Sequence, residues 1–459
     1  MTQVIGQFAR VAVVGTGPAG LYAADELVRQ DRVPVKVDLL DRLCTPFGLV
    51  RYGVAPDHPR IKSVTGALSN ILEHPHVRFL GGVELGADVD RAELLACYDA
   101  VVYATGLAAD RPLGIDGESL PGSHSACELV SWYSGHPDAR QPFALDAERV
   151  AVVGAGNVAL DVARILTKPV SELEYTDMPE PVLAVLRDSA VRDVTIFARR
   201  GPAHTRFTTK ELRELDGLNG VCVRVPPDEV VPDPDTAVDR TARANLALFE
   251  KWARADTSAA DRTITFRFWR RPTAIRGDHR VRELVVEHTC LDDADALIGT
   301  GTTEVMPTAL VLRSAGYRGM PIANLPFDRA HGVARQRDGR IVDERGRICP
   351  GEYVAGWLKR GASGVIGTNR CDSAETVAVL LDDLLRADRP RPVGTVDELL
   401  RRNNMRPVGL SGWHAIDSGE IALGARSGRD RIKITDWSLL RAMGTRALPQ
   451  PAAATDGRE

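Results

Sequence analysis

Two short apolar runs, each closing in a glycine-rich turn, organise this chain: VAVVGTGPAG ending at Gly20 and VAVVGAGNVA ending at Ala159. Each reads as a buried strand that bends into a helix. The first unit predicts a strand Val11–Val14, a helix over 21–29 and a strand Val35–Leu40. The second begins at Val150, continues as a helix over 158–166, is interrupted by a Pro- and Glu-containing stretch over 169–190, and resumes as a strand Val194–Ala198. Another apolar strand, Ala100–Ala104, runs into Thr105-Gly106, a crossing point between domains. From 215 to 350, β-branched segments alternate with turn residues (TITFRFW, RELVVEH, GRIVDERG) and read as strands of a second domain followed by a return to the first. A late strand Tyr353–Ala355 leads to Gly356-Trp357, the glycine-rich segment 361–369 and an amphipathic helix near 373–386. After the charged linker RADRPRPVGT the last region reads as helical, with a Pro/Ala-rich tail from about 448.

The glycines answer to specific steric demands. Gly15 and Gly154 permit the tight strand-to-helix bend, and Gly17 and Gly156 let backbone approach a pyrophosphate. Gly20 or Ala159 lets the helix pack close to its strand. The ligand's charge then rests on free N–H groups at the positive end of the helix. Two such turns point to two dinucleotides held at once. Asp41 ends the first unit 21 residues beyond Gly20, where an acid accepts from a ribose hydroxyl pair; alone, it would equally be a surface acid. The second unit has Arg199-Arg200 in that place, which supplies bidentate donors for a 2′-phosphate. The bland alternative is a solvated basic turn. The halves therefore differ in the direction expected for FAD in the first and NADPH in the second.

Length implies two or three domains, since 459 residues exceed one ordinary core. Net charge is −4, so no global basic field points to nucleic acid. The seven cysteines (44, 97, 127, 222, 290, 349, 371) include no CxxC, which argues against a redox-active disulfide, a zinc knuckle or an iron–sulfur cluster; no metal is expected. That usage, together with an amino terminus that runs straight into the first strand, predicts a cytoplasmic protein. No 18-residue apolar stretch is present, so no membrane span is expected.

Longer motifs carry a family resemblance: CTPFGLVRYGVAPDHPRIK (44–62), GAGNVALDVARIL (154–166), FARRGP (197–202), FTTKELREL (207–215), SAGYRG (314–319), EYVAGWLKRGASGVIGTN (352–369) and GWHAID (412–417). In this order, over nearly the whole chain, they resemble the adrenodoxin reductase-like class of ferredoxin–NADP⁺ reductases. The resemblance implies an α/β chain of two Rossmann-like three-layer dinucleotide-binding domains, the NADP domain (108–324) inserted in a discontinuous FAD domain (1–107 and 325–459). It also implies non-covalent FAD, hydride from NADPH, and single electrons passed to a ferredoxin-type iron–sulfur protein that serves a haem monooxygenase. Carried over by position, Gly15, Gly17, Pro18, Gly20, Asp41, Leu49, Thr105, Gly106, Gly356, Trp357, Gly364, Val365, Ile366 and Gly367 would surround FAD. Gly154, Gly156, Asn157, Val158, Arg199, Arg200 and Glu211 would hold NADPH, and His58 and Glu211 match the family's polar residues near nicotinamide and flavin. Without the resemblance, His58 is a loop histidine and Glu211 an ordinary helix-face carboxylate. Relatives commonly carry Glu where Asp41 stands and Pro-Thr where Ala362-Ser363 stands.

An acidic ferredoxin would favour a local positive patch. Residues 262–282 hold seven arginines against one acid, Asp278, and a docking face including Arg267, Arg270 and Arg271 is one reading; the other is that the arginines decorate the wet face of a sheet, or that some line the NADPH domain. Three rival functions share these motifs: an NADPH-dependent flavin enzyme reducing quinones directly, a flavin monooxygenase, and a nucleotide-binding regulatory protein without turnover.

Overall fold

The computed structural model describes residues 8–139, 143–230, 239–255, 260–386 and 392–446; the tail from 448 and part of the 386–395 linker lie outside them. Both apolar runs are strands, Ala9–Val14 and Arg149–Val153, and each lies inside its own sheet. In Ala9–Val14 the side chains alternate between two buried faces. Val11 and Val13 pack under the helices Pro18–Arg29 and Thr368–Leu385, whereas Ala12 and Val14 join Leu40, Tyr103 and Val354 on the opposite side. A strand buried on both faces has to be apolar throughout, which is why the run is continuous.

Seven strands make the first sheet, in the order Gln336–Arg337, Arg340–Val342, Ile348–Val354, Ala100–Tyr103, Ala9–Val14, Val35–Asp41, Val77–Gly81. The chain leaves this sheet after 103 and returns to it only at 336. The six-stranded second sheet, wholly parallel, is built from the intervening residues 123–313, with Arg149–Val153 between Leu310–Arg313 and Asp193–Phe197. One face carries helices, among them Ala126–Tyr133 and Asn157–Thr167. The other is covered by an antiparallel sheet of Arg270–Arg276, Glu283–Leu291 and Leu297–Pro307, through Ile275, Val281, Leu284 and Val286. Two three-layer α/β units result, as expected. The crossovers between them run side by side, Ala109–Asp110 pairing antiparallel with Tyr317–Arg318.

The interruption at 169–190 contains two helices, Val170–Leu173 and Glu180–Arg187, each entered through a proline at 169 or 179. The helix expected near 373 begins earlier, at Thr368, because Gly367 rather than the following polar residues marks its start. The last region is helical over Val396–Arg402, Leu410–Ala425 and Trp437–Thr445.

Candidate functional site

Both glycine turns sit at the carboxyl ends of central parallel strands, the place where open α/β sheets receive ligands. At the first, Gly15 has φ 105°, and a Cβ there would lie 2.5 Å from the Ala104 carbonyl oxygen. A Cβ on Gly20 would meet the Gly15 carbonyl oxygen at 1.9 Å. Gly17, the N-cap of Pro18–Arg29, is different: a Cβ there would meet nothing within 4 Å, and no side chain caps the helix. The open N-terminus is thus built by glycines packed behind it. Gly48 approaches Gly17 from the other side, its Cβ position 3.0 Å from the Gly17 Cα, and delivers Leu49 with its side chain 37% exposed.

The returning segment places a second helix start beside the first. Gly356, at φ 74°, has a Cβ position 2.5 Å from the Ala19 Cβ, and the Ser373 hydroxyl donates to the Ala19 carbonyl at 2.8 Å. The Trp357 indole N–H donates to the Ser363 carbonyl at 3.1 Å, closing the loop that holds Ala362-Ser363. Gly364 (φ 79°), an exposed Val365, Ile366 and the N-cap Gly367 follow, so the start of Thr368–Leu385 adjoins that of Pro18–Arg29. Thr105 and Gly106 (φ 71°) lie just beyond Ala100–Tyr103. The Asp41 carboxylate accepts from the Thr16 N–H at 2.8 Å, the Thr16 hydroxyl at 2.5 Å and the Leu43 N–H at 2.9 Å. Three donors on a group with four lone-pair sites fix its orientation and leave one site to offer. Burial pushes this carboxyl above its ordinary value, against the lowering effect of those bonds.

The second turn repeats the construction. Gly154 has φ 138° with its Cβ position 2.1 Å from the Ser314 carbonyl oxygen, while a Cβ on Gly156 would meet nothing within 4 Å. Asn157 and Val158 open the helix Asn157–Thr167. Asn157 Oδ1 accepts the Thr208 N–H at 2.9 Å, which draws the FTTKELREL segment onto this helix start. Arg199 and Arg200 follow Asp193–Phe197, and neither guanidinium has a partner among the described residues.

Thr208 and Glu211 have the spacing of a capping box at the start of Thr209–Glu214. The box does not form: Thr208 makes no side-chain cap, and Thr208 Oγ1 and Glu211 Oε2 are both buried without a hydrogen-bond partner. These two buried polar atoms therefore keep unused hydrogen-bonding capacity at the helix start beside the second turn.

His58 meets Glu214, not Glu211. Its Nε2 lies 2.6 Å from Glu214 Oε2. Glu214 escaped the sequence reading because FTTKELREL offers two glutamates three residues apart, and only the tertiary approach of the PDHP loop selects between them. Arg164, with its side chain 2% exposed, grips Asp57 through Nε at 2.9 Å and Nη2 at 3.0 Å. Burial alone would raise the Asp57 carboxyl; the bonds and charge of Arg164, with Lys168, outweigh it and hold that carboxyl well below the usual range.

The expected docking face is overturned in its central members. Arg267 pairs with Glu229 at 2.8 Å and Glu304 at 2.9 Å, and Arg270, 7% exposed, shares both carboxylates. Arg271 pairs with Glu287, Arg280 with Asp146, and Arg262 donates to the carbonyls of Thr167 and Lys168. The carboxylates come from neighbouring strands and turns, so these arginines knit the antiparallel sheet to its unit; Arg276 and Arg282 are exposed and carry no ion pair among the described residues. No described helix is long and apolar enough to cross a membrane, and no group of His, Cys, Asp and Glu among the described residues has the arrangement of a metal site.

Residues 9–215 match the family model described as pyridine nucleotide-disulphide oxidoreductase. The NADPH-ferredoxin reductase FprA of Mycobacterium leprae is 40% identical over 452 residues, covering 95% of this chain and 98% of that protein. The mitochondrial NADPH:adrenodoxin oxidoreductase of Arabidopsis thaliana is 38% identical, covering 94% of each chain. The structure of Mycobacterium tuberculosis FprA in complex with NADPH superposes with a TM-score of 0.90 at 39% identity, over 95% of this chain and all of that one. The chain belongs to the adrenodoxin reductase-like ferredoxin–NADP⁺ reductases.

Proposed function

We propose that the protein is an NADPH-dependent flavoprotein reductase that binds FAD at the first glycine turn and NADPH at the second, and passes single electrons to a ferredoxin-type iron–sulfur protein. The observation that carries this reading is the unformed capping box, whose buried Thr208 Oγ1 and Glu211 Oε2 have no partner beside the second turn. They suit the hydroxyl and amide donors of a nicotinamide nucleotide. The free guanidinium groups of Arg199 and Arg200 suit its 2′-phosphate.

The residues also fit FAD. Two adjoining helix starts, open space in front of Gly17 and the exposed apolar Leu49 and Val365 form a cradle with positive dipole ends and hydrophobic flanks. Asp41 would accept from the adenosine ribose, and Gly356, Trp357 and Gly364 to Gly367 would lie against the ring system. Bound there, FAD supplies the redox chemistry, taking up two electrons as hydride and releasing them singly. The chain's own work is positioning: glycine turns seat both pyrophosphates, and His58 Nε2 shares one hydrogen bond with Glu214 Oε2 where the two units meet.

The domain division that accompanies this reading is 1–107 with 325–459 for FAD and 108–324 for NADP, supported by the paired crossovers at 109–110 and 317–318. A cytoplasmic location fits the seven free cysteines. Supply of a haem monooxygenase rests on the family resemblance. For docking, we replace the sheet arginines by Lys210 and Arg213, with Arg240 and Arg243 on the packed helix Arg240–Ala253: all four are exposed and carry no ion pair among the described residues. Turnover with a purified acidic ferredoxin is expected to exceed turnover with quinones and to fall with ionic strength. Faster quinone reduction, with no salt dependence on ferredoxin, would favour the direct reductase instead.

A further inference from the structure

Helix Asn157–Thr167 starts at the second glycine turn, and Arg164 projects from its far end into the contact with the PDHP loop. Its guanidinium touches three carboxylates from three parts of the chain: Asp57 through two bonds, Asp161 at 2.9 Å, and Glu214 Oε2 at 3.5 Å. Two of them bracket His58. Asp57 precedes it in the loop, and Glu214 Oε2 is the atom its ring Nε2 bonds. Lys168, 3.0 Å from Asp57, is the second cation of the cluster, and the Tyr133 hydroxyl is buried beside it without a partner.

Burying so many charges is a poor route to stability, because an apolar cluster of similar volume does as well or better. What an ion cluster adds is geometry. A planar guanidinium with five donors fixes the direction of every carboxylate it holds, which a lysine cannot do. The imidazole is already restrained by prolines on both sides of Asp57-His58, at 56 and 59, and by the His58 N–H bond to the Ala55 carbonyl at 3.1 Å. The degree of freedom left is the place of Glu214, on a short helix of the other unit.

We infer that Arg164 is a positioning residue for the reaction: by bonding Asp57 through two N–H groups and setting its charge 3.5 Å from Glu214 Oε2, it sets the His58–Glu214 pair relative to the second glycine turn. The inference rests on the reductase reading above. A helix that begins at the nucleotide therefore ends at the His58–Glu214 pair, so one rigid element spaces the two.

The test is a double-substitution cycle in the full chain carrying its flavin. Arg164→Met is made in the parent and in His58→Gln, with Arg164→Lys and Asp57→Asn as variants that keep volume should Arg164→Met fold poorly. In the parent, Arg164→Met is expected to lower the limiting rate of anaerobic flavin bleaching by NADPH roughly ten-fold, with less than about two-fold change in apparent NADPH affinity. In His58→Gln the same change is expected to cost less than about two-fold, since the pair it serves is gone. A full ten-fold further loss there would overturn the inference, because a purely structural role adds independently. The second readout needs no turnover: the ¹⁵N resonance of the His58 Nε2, identified by its loss in His58→Gln, is expected to shift in Arg164→Lys and Asp57→Asn. An unmoved resonance in both would also overturn it. If the parent is not bleached by NADPH at all, the reductase reading fails while the resonance still decides the positioning claim.

Discussion

The imidazole of His58 and the carboxylate of Glu214, 156 residues apart, meet at 2.6 Å where the two α/β units touch. One turn earlier on the same short helix, Glu211 keeps Oε2 buried and unpartnered. Residues three apart share a helix face, so both carboxylates look into the same region, yet only one has an intramolecular partner. The arrangement separates them: Glu214 is engaged by the histidine, whereas Glu211 Oε2 has no hydrogen-bond partner among the described residues.

Exchanging each glutamate for glutamine tests that separation. Glu211→Gln is expected to raise the KM for NADPH several-fold with little change in kcat, the mark of a lost ground-state contact. Glu214→Gln is expected to act mainly on the limiting rate of flavin bleaching, and Glu214→Gln with His58→Gln to cost no more than the worse single change. Stopped-flow traces across a range of NADPH concentrations read both.

Gly17 and Gly20 separate ligand contact from packing. Gly17 has φ −70°, and an added Cβ meets nothing within 4 Å, so Gly17→Ala is expected to leave stability unchanged while flavin uptake drops. An added Cβ at Gly20 falls 1.9 Å from the Gly15 carbonyl oxygen, so Gly20→Ala is expected to cost at least about 2 kcal/mol by overpacking, read from urea unfolding. Equal losses of stability in both would contradict the separation.

How much of this was legible in the sequence follows from the range of the forces involved. The glycine turns were legible because the demands on Gly15, Gly17 and Gly20 arise within a few residues of one another. The return of 353–355 to the first sheet was legible because a strand followed by a glycine-rich helix start repeats that local pattern. Arg267 and Arg270 were misread because what neutralises them, Glu229 and Glu304, lies 34 to 41 residues away. A charge count along the chain cannot see such partners. Glu214 was missed for the same reason: the family resemblance points to Glu211, and only the folded PDHP loop singles out its neighbour. Arg164 and its cluster depend wholly on the meeting of the units.

Arg199 and Arg200 carry the cofactor preference. Their replacement by neutral residues is expected to weaken NADPH by at least about ten-fold while changing NADH less than about two-fold, because only the former brings a phosphate to the fork-shaped donors. Equal losses for both nucleotides would remove the 2′-phosphate assignment.

His136 is expected to give the junction a pH dependence. Its ring packs edge-on against Tyr52 at 4.9 Å, and its Nδ1 accepts the Asp138 N–H at 3.1 Å. Burial pushes its pKa down to about 4, with Asp138 opposing. The unfolded chain, near an ordinary value of about 6.5, binds the proton first, so stability present above that pH is lost as pH falls toward 4. The contribution is up to about 3 kcal/mol. His136→Gln is expected to flatten the decline between pH 6.5 and about 4.5 in urea unfolding; an unchanged slope would assign it to other groups.

The most direct test of the account is an anaerobic titration of the purified, yellow protein with NADPH, followed by its absorbance. Two dinucleotides seated on the paired turns predict that the flavin bands bleach with about one equivalent of NADPH per flavin, and that an added oxidised ferredoxin restores them. A colourless chain that takes up no FAD on reconstitution, or a flavin that NADPH leaves oxidised, would contradict it.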